Sequence, residues 1–157
     1  MSCIHHSAIC VRDIDAGMRF WCDGLGFEQI MDQRFEGDWP TLLRAPTSSL
    51  RAVFLGDPTN PEAGIVELVD FGAVPDDAAS SDAPAANGFL LLSVMADLQS
   101  VLDRLADLGL GGTPRRVTVQ GVDMAVIVDP NGVQVELVDT GAVANLEAMT
   151  AASADQR

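Results

Sequence analysis

The chain has 157 residues, 48% of them hydrophobic, and a formal net charge of −14 from 23 acidic residues against nine arginines and no lysine. This balance lacks the basic footprint that phosphate binding needs, which excludes nucleic acid as a partner, and it disfavours attachment to anionic membrane surfaces. Without lysine there is no Schiff-base chemistry, and the apolar content suits one domain or two small modules with a hydrophobic core.

The opening Met1-Ser2-Cys3-Ile4 is neither basic nor followed by a long apolar stretch, so no secretory segment is expected. Nothing approaches the roughly 18 apolar residues of a membrane span. Cys3, Cys10 and Cys22 are odd in number and lack zinc-motif spacing, so a reducing cytoplasm is the expected compartment.

Residues 4–11, apolar apart from His5, His6 and Ser7, read as a strand. Asp13 is placed to cap a helix over about residues 14–23, with Ile14, Met18 and Trp21 on one face and Gly24-Leu25-Gly26 as its stop. Residues 27–31, 35–45 and 50–55 read as further strands, with Pro46-Thr47-Ser48-Ser49 as a turn. Pro58 and Pro61 mark a loop leading into a strand that carries Glu67. Residues 75–87 are small, polar and proline-containing, the composition of a linker. The same order then restarts, with a strand at 89–94, an Asp97-capped helix ended by Gly109, and strands at 115–120, 124–128 and 133–138. The alanine-rich residues from 144 onward read as a frayed helix with a disordered end.

The repeat is explicit in sequence. Val66-Glu67-Leu68-Val69-Asp70-Phe71-Gly72-Ala73-Val74 recurs as Val135-Glu136-Leu137-Val138-Asp139-Thr140-Gly141-Ala142-Val143, and each copy follows an apolar run ending in Asp-Pro. The chain therefore reads as α+β, with two tandem βαβββ modules over 1–74 and 88–143, a linker at 75–87 and a tail at 144–157. Strand alternation sets Glu67 and Glu136 on one face and Val66, Leu68, Val135 and Leu137 on the helix-covered face. Ile9 and Val11 suit the covered face, which leaves His6, Ala8 and Cys10 with the glutamates and turns His5 towards the helices.

The pattern His6-Ser-Ala-Ile-Cys-Val-Arg-Asp13, a helix, Leu25-Gly26-Phe27, and later Asp129-Pro130-Asn131-Gly132 before Val135-Glu136-Leu137 resembles the vicinal oxygen chelate superfamily. That group includes glyoxalase I, extradiol dioxygenases and bleomycin resistance proteins. The resemblance implies a U-shaped, partly open mixed sheet with helices outside, lined by up to four ligands from the first and last strands of each module. Carried over, these are His6, Glu67 and Glu136. The fourth position, counted seven back from Asp97 as His6 stands seven before Asp13, falls on Leu90, where the family pattern is broken.

Three uses of these residues compete. In the first, His6, Glu67 and Glu136 hold one divalent ion (Fe, Mn, Co, Ni, Zn or Mg), which polarises a vicinally oxygenated substrate. Glu67 and Glu136 are then the catalytic carboxylates, and the resemblance to glyoxalase I makes Glu136 the base. In the second, no metal binds, and the two glutamates form an acid–base pair or line a cleft that sequesters a ligand, as resistance proteins do. In the third, the glutamates are solvated at sheet edges. The expectation is a glyoxalase-like metal-dependent isomerase or lyase acting on a small molecule as a homodimer, with a metal-free binding protein or an extradiol-type dioxygenase as alternatives. Phe35, Trp39 and Phe54 are candidates to wall a pocket, and Arg44, Arg51, Arg115 and Arg116 to anchor an anionic group, with sheet core and surface salt bridges as their ordinary uses.

Overall fold

The computed structural model describes residues 4–60, 63–72 and 88–141, and the chain divides into two compact units between residues 78 and 79. The proposed linker and tail lie outside the described residues.

In the first unit the order is β1 (His6–Cys10), α1 (Ile14–Met18), a π-helical turn (Arg19–Gly24), β2 (Glu28–Glu36), α2 (Trp39–Leu43), β3 (Ser49–Gly56) and β4 (Ile65–Asp70). The four strands form one sheet in the order β1-β4-β3-β2, with β1 parallel to β4 and the other pairs antiparallel. Asp13 is extended (φ −145°) and its carboxylate accepts the backbone N–H groups of Asp15 at 2.9 Å and Ala16 at 3.2 Å, as a helix cap should. Gly17 lets α1 approach the sheet: a Cβ there would stand 2.9 Å from a Leu68 methyl and 3.8 Å from Val11. The π-helical turn carries the fully buried Phe20 and Trp21, and the Trp21 ring meets Phe20 and Phe27 edge-on. Gly26, at φ +88°, takes the chain out of the turn into β2.

The second unit repeats the plan with β5 (Leu92–Ala96), α3 (Leu98–Asp107), β6 (Gly111–Val119), β7 (Val122–Val128) and β8 (Gln134–Asp139), ordered β5-β8-β7-β6 with β5 parallel to β8. Asp97 caps α3 by accepting the Ser100 N–H at 3.1 Å. Leu98, Val101, Leu102 and Leu105 form its buried stripe against β6, β7 and β8. Asp129 is almost fully buried, and its carboxylate accepts the N–H groups of Asn131 and Val133, both at 2.8 Å, which shapes the Asp-Pro-Asn-Gly turn before β8.

The α+β class and the open, mixed sheets agree with the sequence reading, as do the buried positions Ile9, Val11, Val66, Leu68, Val135 and Leu137. The elements differ in three places. Residues 35–45 do not form a strand: β2 runs unbroken to Glu36, and a short helix follows because Asp38 accepts the Thr41 N–H and Pro40 sits in the first turn, where its missing N–H costs nothing. The strand β5 starts at Leu92 rather than 89, with Phe89 and Leu90 exposed ahead of it. The strand β6 begins earlier, at Gly111, and bulges between Gly111 and Arg115.

Candidate functional site

Cross-strand partners point to the same face of a sheet, so the pairing registers identify what surrounds each glutamate. In the first unit Glu67 stands between Ala8 on β1 and Phe54 on β3. His6, one step of the same face away, brings Nε2 to 3.1 Å from Glu67 Oε2, with 36% of the histidine side chain and 14% of the glutamate side chain exposed. The His6 ring also meets Phe54 edge-on, with centroids 5.8 Å apart and planes at 78°. Further along this face Leu50, Ala52 and Val69 form a buried patch, and the half-buried rings of Phe35, Trp39, Phe54 and Phe71 pack against it. The α2 helix contributes Trp39, whose indole N–H donates to the Phe35 carbonyl at 3.1 Å.

The expectation that His5 turns towards the helices is incorrect. His5 lies just before β1, is exposed, and sets its Nδ1 2.8 Å from His6 Nδ1 with the two rings edge-to-face. Ahead of the first ladder pair the alternation of the strand does not yet bind it. Two ring nitrogens at this distance need one proton between them. If His6 donates from Nε2 to Glu67, a neutral His6 accepts at Nδ1 from His5; if Nε2 is engaged as a lone pair, the proton sits on His6 Nδ1 and His5 accepts it.

In the second unit Glu136 stands between Ser93 on β5 and Val126 on β7, with Arg115 of β6 next in the same row. The Ser93 hydroxyl donates to Glu136 Oε2 at 2.8 Å. Arg115 donates through Nη2 to Gln134, two residues before Glu136 and therefore on its face. A cleft of about 490 Å³ runs beside Arg115 between the Gly109–Thr113 segment and the Val128–Pro130 turn.

The registers also correct the fourth position. Ala8 partners Glu67 and Ser93 partners Glu136, so His6, two before Ala8, corresponds to Leu91, two before Ser93, and not to Leu90. The connection from the first strand to the helix cap is one residue shorter in the second unit, which shifts any count made back from Asp97. Both candidates are leucine, so the ligand pattern stays broken.

The remaining candidates divide by face. Arg51 is paired bidentately with Asp32, at 2.9 and 2.6 Å, on the face opposite Glu67, and hydrogen bonding from Arg51 holds the Asp32 carboxyl below its ordinary range. Arg116 donates to Gln99 on α3, again away from the glutamate face. Arg44 ends α2 in a left-handed conformation (φ 56°). Cys10 shares the His6 face, but burial and then the Asp70 charge push its thiol up, which disfavours a nucleophilic thiolate. Among the described residues no group of three or more His, Cys, Asp or Glu side chains is arranged to hold a metal ion. Sequence reasoning does not single out Ser93, or His5 as a neighbour of His6. The signal that finds Ser93 is the parallel register, which sets it opposite Glu136.

A family model described as the Glyoxalase/Bleomycin resistance protein/Dioxygenase superfamily matches residues 3–137. The lactoylglutathione lyase-like protein terB of Aspergillus terreus is 36% identical over 147 residues, covering 86% of this chain and 74% of its own. Among solved structures, the trypanothione-dependent glyoxalase I of Leishmania major superposes with a TM-score of 0.67 at 18% identity, over 99% of this chain and 98% of that one. A glyoxalase family protein from Bacillus cereus gives 0.67 at 18% identity over 87% and 92% of the two chains. At such identities the structural likeness speaks for the fold alone.

Proposed function

Since the chain belongs to the glyoxalase/bleomycin resistance protein/dioxygenase superfamily, we propose that it is a metal-dependent isomerase or lyase that moves a proton on a small, vicinally oxygenated organic molecule, working as a cytoplasmic homodimer. The observation that carries this reading is the 3.1 Å contact of His6 Nε2 with Glu67 Oε2 beside a buried apolar patch on the same face. Ligand bonds of about 2.1 Å at roughly right angles set two donors about 3.0 Å apart, so this pair fits adjacent positions around one divalent ion. Imidazole with carboxylate is also a donor set suited to Fe, Mn, Co, Ni or Zn.

In this reading His6 and Glu67 hold the ion, and Glu136, the equivalent glutamate of the second repeat, is the third ligand and the base. A divalent ion held there would supply Lewis-acid polarisation that acidifies a substrate C–H beside an oxygen. The protein's own groups do the rest. Ser93 occupies Glu136 Oε2, which fixes the carboxylate and leaves Oε1 to take the proton from one carbon and return it to the next. His5 locks the His6 ring through Nδ1, so that Nε2 stays directed at Glu67. The half-buried rings beyond Phe54 keep water away from one side of the pair.

A metal-free reading has two specific observations in its favour: leucine stands where the second histidine is expected, and the partner of Glu136 is a hydroxyl rather than a metal-ligating ring. Metal analysis of protein purified without a histidine tag separates the two. About one divalent ion per chain, and a melting temperature raised by Mn, Co, Ni, Fe(II) or Zn, supports the enzyme; no ion and an unmoved melting curve with all five sinks it. A Glu136→Gln variant that still binds ligand and loses turnover would locate the base.

A further inference from the structure

The second sheet sets a cation opposite the proposed base, an inference that rests on the reading of Glu136 as that base and not on the metal. One cross-strand row of the sheet runs Ser93, Glu136, Val126, Arg115. With strands about 4.8 Å apart, the backbones of Glu136 and Arg115 stand about 10 Å from each other, and half-buried Val126 floors the space between them. The Arg115 side chain reaches back over this floor: its Nη2 donates to Gln134, on the strand that carries Glu136. The bulge immediately before Arg115, where three residues of β6 face one of β7, bends the edge strand at this point and re-aims the side chain that follows.

Gln134 is a neutral acceptor, and among the described residues Arg115 pairs with no carboxylate, Glu136 included. Arg51, by contrast, is neutralised by Asp32. The charge of Arg115 is therefore left for a bound molecule, and the cleft of about 490 Å³ beside it gives the rest of that molecule room. We infer that Arg115 is a catalytic residue that holds the substrate oxygen on which negative charge develops, with a carbonyl compound lying over Val126 between the guanidinium and Glu136. Glu136 takes a proton from the carbon beside the carbonyl, breaking C–H and forming O–H on Oε1. The released pair makes the C=C bond of an enolate, and the carbonyl π pair moves onto the oxygen that Arg115 faces. Return of the proton to carbon re-forms a carbonyl, so no co-reactant is consumed. In a chain of net charge −14 there is no general attraction for anions, which makes anion binding at this point a local signature of Arg115.

Calorimetric titration with sodium oxalate, a planar mimic of an enolate, tests this on full-length, untagged protein freed of metal by dialysis against EDTA and then buffer. The parent should bind oxalate, and Arg115→Gln should weaken binding at least about tenfold. Arg115→Lys, which keeps the charge and loses the planar fork, should fall between the two. Glu136→Gln should tighten binding about three- to tenfold, because a carboxylate facing the anion is removed. Arg116→Gln, on the helix-covered face, should bind as the parent does. No oxalate binding by the parent, parent-like affinity in Arg115→Gln, an equal loss in Arg116→Gln, or an affinity unmoved by Glu136→Gln would each overturn the inference, the last by placing the anion away from the base. Arg115-dependent binding by a protein that takes up no divalent ion would keep this inference and discard the metal reading; ion uptake without Arg115-dependent binding would do the reverse.

Discussion

Ser93 and Glu136 are register partners across the parallel pair β5–β8 and are joined by a 2.8 Å hydrogen bond, whereas in the first unit the same place opposite Glu67 is held by Ala8. The two glutamates thus stand in equivalent strands with different company. Glu67 is steered by a histidine one step away, and Glu136 by a hydroxyl directly opposite. This division matches the roles proposed for them, one holding a ligand position and the other keeping one oxygen available for a proton.

Ser93→Ala removes the steering of Glu136 and nothing else of consequence, because Ser93 is exposed and packs in no core. Turnover should fall on the order of tenfold, about 1.4 kcal/mol in the barrier, with KM nearly unchanged. Stability should stay within about 0.5 kcal/mol of the parent by denaturant melting. Steady-state kinetics that show equal kcat in variant and parent would mean that Glu136 needs no orienting partner.

Leu91→His places an imidazole at the counterpart of His6 by register count, just ahead of β5 and two residues before Ser93. The second unit would then own a histidine–glutamate pair like that of the first. If the glutamate face is a metal site, divalent-ion affinity should rise by at least about tenfold, or 1.4 kcal/mol, in a competition titration with a chelator. An affinity unchanged by the added ligand would argue that the glutamate of the second unit takes no part in metal binding.

Much of the fold and of the first unit's histidine–glutamate pair is legible in the sequence, and the reasons are physical. Strand alternation at period two places Ile9, Val11, Val66 and Leu68 inward and His6 and Glu67 together, and a sequence repeat carries the same logic to Val135, Glu136 and Leu137. Asp13 and Asp97 announce helix starts because their carboxylates satisfy backbone N–H groups that the helix cannot. Residues 35–45 mislead because Leu42 and Leu43, exposed in α2, mimic a strand when counted only as apolar. Counting from the helix cap misses Leu91 by one place because it assumes equal connections, whereas hydrogen-bond register is a property of paired strands. His5 lies at a strand end, where alternation has nothing to enforce it.

Acid should unfold the protein through a small set of carboxylates. Asp32 is held below its ordinary range first by its hydrogen bond from Arg51, Asp57 by those from Thr59, and Asp97 by the Ser100 N–H. A depressed folded-state pKa contributes stability that is present above the unfolded value, near 3.8 for Asp, and is lost as pH falls through the folded value. Melting temperature should therefore hold or rise slightly from neutrality to about pH 4.5, as repulsion within a −14 chain relaxes, and then drop below about pH 4. Asp32→Asn should lower the plateau slightly and make the acid limb shallower by the same small amount, since the Asp32–Arg51 pair is largely solvent-screened. An unaltered limb would assign acid sensitivity to other groups.

Gly17→Ala sets two effects of opposite sign against each other. Alanine in place of glycine favours α1 by about 1 kcal/mol through backbone entropy. Its Cβ, however, would stand 2.9 Å from a Leu68 methyl, closer than real contacts allow, and Leu68 is fully buried beneath α1 with Val11 alongside. Overpacking of this kind costs about 1–3 kcal/mol when the neighbour has no free space to enter. The collision should win by roughly 1 kcal/mol, so the variant should fold and melt lower than the parent. Leu68→Ala in the Gly17→Ala background should lose less stability than Leu68→Ala in the parent, because the new methyl fills part of the space the leucine vacates. Additive losses in that double-mutant cycle would mean that α1 rides further from β4 than the 2.9 Å approach requires.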